Sequence, residues 1–304
     1  MKRSCLPFLV LLAGGAVACG EAPVPVPEAE KAPSNLKMGY ELEAQYSYVG
    51  SAKTEIDRNR NGNVTEQNGN VRLLLTPQWG QGPIYRFGIS AQRYAFGLPS
   101  NAVIPNTLQS TALVLGLDFQ LGESWIGRVE VEPGLYGDFH DPDTGDFNAP
   151  FIAGVSYIAS ASLQWVAGVS VDVYRRYPVI PAVGVRWNVG SGWTINAVLP
   201  TPRLEYSWNK PLTLYAGAEF KDIAYRVADD FGDKHARSKL NAAIMEYDEL
   251  RVGAGLTWKA ASALSLELEG GYMPYREFNF HRAEFGLKTK QGAPYGQVAL
   301  SAKF

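Results

Sequence analysis

Residues able to move a proton or hold a metal are sparse here, with three histidines and two cysteines among 304 residues. His140 is followed by Asp141, and a carboxylate beside an imidazole is the arrangement that orients a general base. His235 lies close to Asp229, Asp230 and Asp233. Together these residues would suit a hydrolase. All three histidines, including His281, fall in long polar segments where acids ordinarily serve solubility, so the chain reads as a non-enzyme with a hydrolase as the weaker alternative. The run Asp141-Pro142-Asp143-Thr144-Gly145-Asp146 spaces oxygens as the start of a calcium loop does, but residue 152 is Ile where a bidentate Glu is needed. A tight turn is the preferred reading, and no metal or cofactor is expected.

The richer chemistry is electrostatic. Arg72, Arg86, Arg128, Arg186 and Arg251 sit at the polar positions of alternating segments, with Glu130, Glu132, Asp172, Glu205, Glu219, Glu267 and Glu269 on the same parity. The two signs nearly cancel, and no single-sign ring marks an anion or cation filter. Such charges face either a wall of cross-strand ion pairs or an aqueous pore of mixed charge. Both readings need strands to hold these side chains on one face.

Those strands are written as alternation from Leu36 to the end. Leu36, Met38, Tyr40, Leu42, Ala44, Tyr46 and Tyr48 are apolar, and the residues between them are small, polar or charged. Leu113, Leu115 and Leu117 alternate with Val114, Gly116 and Asp118; by parity the leucines point out and Val114 points in, where an introduced arginine would reach water or Asp118. Counting such segments predicts an all-β fold, a closed antiparallel transmembrane β-barrel of about fourteen strands, with twelve as the alternative if the short region around Thr201-Pro202 folds differently. Connections alternate in length. GQGP, GES, GSG, NKP and AAS form a short set; Ser51 to Asn70, Gly97 to Asn106, Asp138 to Asn148, Ala228 to Tyr247 and Asn279 to Ala293 form a long set, expected outside the cell.

Two features favour lipid over water outside such a barrel. Trp79, Trp125, Trp165, Trp187, Trp193, Trp208 and Trp258 all lie near short turns on the apolar parity, as an interfacial girdle requires. Tyr48, Phe96, Tyr177, Tyr225 and Tyr275 are expected to form the opposite girdle. The last ten residues also alternate and end on an aromatic, with Tyr295, Val298, Leu300 and Phe304 as a closing β-signal that would engage barrel-assembly machinery. The expected partners are outer-membrane lipids and that machinery.

The first residues point to export. Met1 to Ala18 reads as a signal peptide, with Lys2 and Arg3 before an apolar run and Ala16-Val17-Ala18 at the cleavage site. Cys19 would then be first and is a candidate for lipidation, although Ala16 stands where lipoprotein signals usually carry Leu. Residues 19–35 form a linker rich in Pro, Ala and Glu, and 36–304 form the barrel. Losing Lys2 and Arg3 takes the formal charge from −2 to −4, which excludes nucleic acid as an expected partner. Cys5 leaves with the signal, so no intramolecular disulfide is expected.

Residues 195–280 carry a resemblance to a known family. The stretches INAVLPTPRLEYSWNKPLTLYAGAEFKDIAYRV and YDELRVGAGLTWKAASALSLELEGGYMPYREFNF, with their patterns at Leu199-Pro200, Tyr225-Arg226 and Gly271-Tyr272, resemble a bacterial outer-membrane β-barrel family of unknown function. The resemblance implies the fold and carries no activity. Pattern and resemblance together lead to the expectation of a passive outer-membrane channel or transport protein for small polar or amphipathic solutes. The alternative is a non-conducting structural or surface-interaction barrel.

Overall fold

The computed structural model describes residues 36–57 and 60–304, and the signal, linker and Cys19 expectations lie outside them. Fourteen strands follow one another round a closed wall. They are β1 (Leu36–Asp57), β2 (Arg60–Trp79), β3 (Ile84–Gly97), β4 (Thr107–Leu121) and β5 (Trp125–Val131, resumed at Gly134–Gly137). Next come β6 (Phe147–Asn148, resumed at Phe151–Ile158), β7 (Leu163–Val171), β8 (Val179–Gly190), β9 (Trp193–Asn196) and β10 (Arg203–Ser207). The last are β11 (Leu212–Arg226), β12 (Ile244–Ala261), β13 (Leu264–Phe280) and β14 (Phe285–Gln291, resumed at Ala293–Lys303). Each strand pairs antiparallel with its neighbours. The wall closes where β14 meets β1, from Glu41 opposite Lys303 to Val49 opposite Tyr295. Closure leaves no unpaired edge, as a strand in lipid requires.

Period-two alternation decides which side chains go where. Leu73, Phe87, Leu115, Val183, Phe220, Val252, Leu268 and Val298 are all exposed on the outer surface. An apolar face running round the whole wall is far larger than water-facing proteins carry, and lipid is its natural solvent. The barrel is therefore transmembrane. Among the described residues no helix is long and apolar enough to cross a membrane, and the crossing is made by strands.

Turn chemistry explains the short ends. Gly80, Gly122 and Gly192 take positive φ at three of them, where a side chain would be strained. The long connections differ from the sequence reading. Residues expected to form loops at 51–70 instead extend β1 to Asp57 and start β2 at Arg60, because Ala52, Thr54 and Ile56 continue the alternation inward beyond a bulge. The region around Thr201-Pro202 contributes two genuine but short wall strands of four and five residues.

Candidate functional site: a stratified lumen

All twelve charged residues expected to line the lumen lie on the inward parity, and they fall into tiers. In the lower tier, nearer the short turns, Arg128 grips Asp118 through two bonds of 2.6 and 2.7 Å. Arg86 reaches Glu41 and Glu130, both at 3.3 Å, and Arg72 bonds Glu130 and Glu132, the latter at 3.0 Å. Round the wall, Arg186 clasps Glu205 at 3.1 and 2.8 Å, and Arg203 clasps Glu267 at 3.2 and 3.1 Å. The Tyr215 hydroxyl donates to Glu267 at 2.8 Å. Arg203 on β10 reaches Glu267 on β13, so these pairs span the interior as well as neighbouring strands. Several side chains here keep contact with solvent, at 12% for Arg72, 18% for Arg203 and Glu205 and 20% for Glu132.

The next tier is dry. Arg251 on β12 donates to Glu66 on β2 at 2.9 Å and to Glu249 at 3.1 Å, while Arg276 on β13 donates to Glu66 at 3.1 Å. All four side chains have no solvent exposure. Lys221 joins them through Glu249 at 3.2 Å and Glu219 at 3.4 Å. Ser47 and Gln297 accept from the second terminal nitrogen of Arg251, Nη1, at 2.9 and 3.3 Å. Each acid of this tier faces at least one cation, the arrangement that charged groups held away from water require.

Beyond the dry charges the lumen is filled by rings. Tyr94 and Phe96 from β3 meet Tyr225 from β11, Tyr247 from β12 and Phe278 from β13, with centroids 5.0 Å apart for Tyr94 and Tyr247 and 5.1 Å for Phe96 and Phe278. Tyr247 also donates to Glu66, tying this layer to the charges below. Two connections fold in from the far end to complete the cluster. Val103 and Ile104 come from the β3–β4 segment, where the Val103 amide donates to the Ile56 carbonyl at 2.7 Å, and Phe231 and Leu240 come from the β11–β12 segment.

These rings correct the expected outer girdle. Phe96 and Tyr225 are buried in the lumen, because they share the parity of Gln92 and of Lys221 rather than that of the outward residues. Tyr48 and Tyr177 are exposed on the outside, and all seven tryptophans are exposed beside short turns. Asp172 is held by Asn148 at 2.8 Å. Within the closing strand Val298 and Phe304 face outward, whereas Tyr295 turns inward and bonds Glu269. The sequence reading missed Glu66, Glu249 and Arg276. Parity was the available signal for Glu66 and Glu249, which share the positions of Arg72 and Arg251, whereas Arg276 was hidden because a bulge opposite Leu250 and Val252 moves the inward positions of β13 from the odd set of Glu267 and Glu269 to the even set of Arg276 and Phe278.

Among the remaining candidates, His235 donates through Nδ1 to the Phe231 carbonyl at 2.7 Å, and His281 faces Glu246 at 3.9 Å. The Asp141 to Asp146 run is a capped turn in which Asp143 accepts from the Gly145 amide at 2.6 Å. Arg226 fills the space a cation would take, at 3.1 Å from Asp143 and 3.3 Å from Asp146. Burial, the largest influence on Asp146, raises its carboxyl above the usual range despite that arginine.

A family model described as "Domain of unknown function (DUF6268)" matches residues 95–289, well over half of the chain. No curated protein sequence matches. Among solved structures, an outer-membrane channel from Pseudomonas putida F1 aligns at 11% identity and TM-score 0.45, covering 93% of this chain and 100% of that one. The Pseudomonas putida toluene transporter TodX aligns at 10% identity and TM-score 0.35, covering 87% and 89%. A Pseudomonas aeruginosa FadL homologue aligns at 11% and 0.35, covering 88% and 90%. At these scores the superpositions carry no functional argument.

Proposed function

Because the chain belongs to the DUF6268 family, a domain of unknown function, we propose a role from the barrel's own lumen. The protein is an outer-membrane channel for small polar or amphipathic solutes whose extracellular half is closed at rest. The observation carrying this reading is the gradient of hydration. Arg72, Glu132, Arg203 and Glu205 of the lower tier keep solvent contact, with Arg86 and Glu130 nearly buried between them, while Glu66, Glu249, Arg251 and Arg276 keep none. A wet vestibule that stops at one sealed level is the form of a pore with a closed gate, and its mixed charge suits neutral or zwitterionic polar solutes better than a single ion sign.

The seal itself favours a second reading, in which the ion pairs and rings are permanent struts of a structural or surface-interaction barrel. Planar-bilayer recordings separate the two. Wild-type protein is compared with a variant in which Tyr94 and Phe278 are both Ala, removing two rings from the closing layer. Conductance that rises several-fold in the variant supports the channel. Folded protein that passes no current in either form supports the structural barrel.

A further inference from the structure

The outer face of β1–β4 holds a groove of about 490 Å³, within the range of ordinary ligand pockets. Its shape follows from residue size along two register rows. In the upper row Gly69 lies between Tyr46 and Arg93, and in the row below Val71 lies between Ala44 and Ala91. Gly69 therefore leaves a hollow between two long side chains. A Cβ built there meets nothing within 4 Å. Beneath, Leu73 flanked by Leu42 and Ile89 restores the full thickness of the apolar belt. The hollow continues as an apolar channel towards Val298 and Leu300.

Charge at the rim points to the occupant. Arg93 is exposed on the outward parity, at the end of the belt nearer the long connections, and makes no side-chain hydrogen bond or ion pair among the described residues. Gln109 lines the groove beside it, and Gln67 accepts from the Tyr46 hydroxyl at 3.4 Å, leaving its amide group free to donate. The outward positions of β2, β3 and β4 in this sector carry no acid. An apolar trough ending in an unpaired cation and amide donors complements an acyl chain that ends in an anionic headgroup.

We propose that this groove binds one phosphorylated lipid of the outer leaflet, with its acyl chain lying over Gly69 and Val71 and its phosphate against Arg93. The assignment rests on the transmembrane reading of the barrel and not on conduction. The outer leaflet follows from the short turns lying on the periplasmic side.

Native mass spectrometry of the full mature protein in nonionic detergent tests it, with a bisphosphorylated lipid A-type glycolipid as probe and phosphatidylcholine and inorganic phosphate as controls. The wild type should hold one glycolipid, prefer it over phosphatidylcholine, and keep it in the presence of inorganic phosphate. Arg93→Gln should weaken binding about tenfold or more, and Gly69→Trp should fill the hollow and abolish it. Heat-modifiable gel mobility reports that each variant is a folded barrel, which separates loss of the site from loss of the membrane fold. If Gly69→Trp does not fold, Ala91→Phe blocks the same groove. Glycolipid binding unchanged in the folded variants, no preference over phosphatidylcholine, or displacement by inorganic phosphate would overturn the proposal.

Discussion

Arg251 and Glu66, four strands apart round the wall, meet in the middle of the lumen at 2.9 Å with neither side chain touching solvent. A pair like this is worth little compared with apolar residues of the same volume, yet losing one partner leaves an uncompensated buried charge. Glu66→Leu leaves both Arg251 and Arg276 short of an acceptor. It should lower stability by about 3–5 kcal/mol in urea unfolding of the refolded protein. Glu66→Leu combined with Arg251→Met should recover much of that loss.

Leu115 and Val114 report the two faces of β4. Leu115 is exposed to lipid, and Leu115→Arg should cost roughly 2 to 4 kcal/mol. The sequence reading expected an arginine at 114 to cost far less than one at 115 if the lumen is wet, because it would reach water or Asp118. Val114 is instead fully buried in the lumen, so Val114→Arg should also be strongly destabilising, in contrast to a substitution in the wet tier such as Thr257→Arg. Equilibrium unfolding of the three variants checks this, and a mild effect at 114 would show a wetter interior than described.

Alternation made most of the wall readable from sequence, because a period of two survives without knowledge of partners. Leu115 outward and Arg86 inward needed only parity. Phe96 and Tyr225 show where that reading stopped. Their parity was inward, but a residue-type preference for aromatic girdles overrode it. The inward folding of Val103 and Phe231 had no local signal at all, since their burial depends on rings from strands far away in sequence. The ion-pair partners were likewise hidden, because Arg203 and Glu267 are 64 residues apart and only closure of the barrel sets their distance.

Outside the apolar belt, Asp222, Asp248 and Glu277 stand in one register row at the extracellular lip, with Glu246 beside them. Burial first, and then the facing acids, push Asp248 up to about 8 and Glu246 up to about 7. Folding therefore takes up protons here, so the associated stability is full below the unfolded carboxylate range and is lost as pH rises through these values. The melting temperature should fall between about pH 4 and about pH 8, and Asp248→Asn should flatten that fall. An equally steep fall in the variant would assign the pH dependence elsewhere.

Phe304 closes the wall. Its amide donates to the Tyr40 carbonyl at 2.9 Å and its carbonyl accepts from the Tyr40 amide at 3.0 Å, while its ring stays outside. Removing Phe304 takes away both bonds and the exposed aromatic that assembly machinery is proposed to read. Membrane fractions of expressing cells should contain less of the truncated barrel while export of the precursor continues. Equal levels would make the terminal ring incidental.

Directional thiol labelling tests a lumen wet on the periplasmic side and sealed on the other. Thr257→Cys lies in the lower tier and Ser110→Cys lies inward at the sealed level, in a mature chain whose native Cys19 is replaced by Ser. A membrane-impermeant maleimide added from the periplasmic side should modify residue 257 within minutes. Residue 110 should resist reagent from either side and become reactive once Tyr94 and Phe278 are both Ala. Rapid modification of residue 110 from outside in the otherwise unaltered barrel, or protection of residue 257 from the periplasm, would contradict the account.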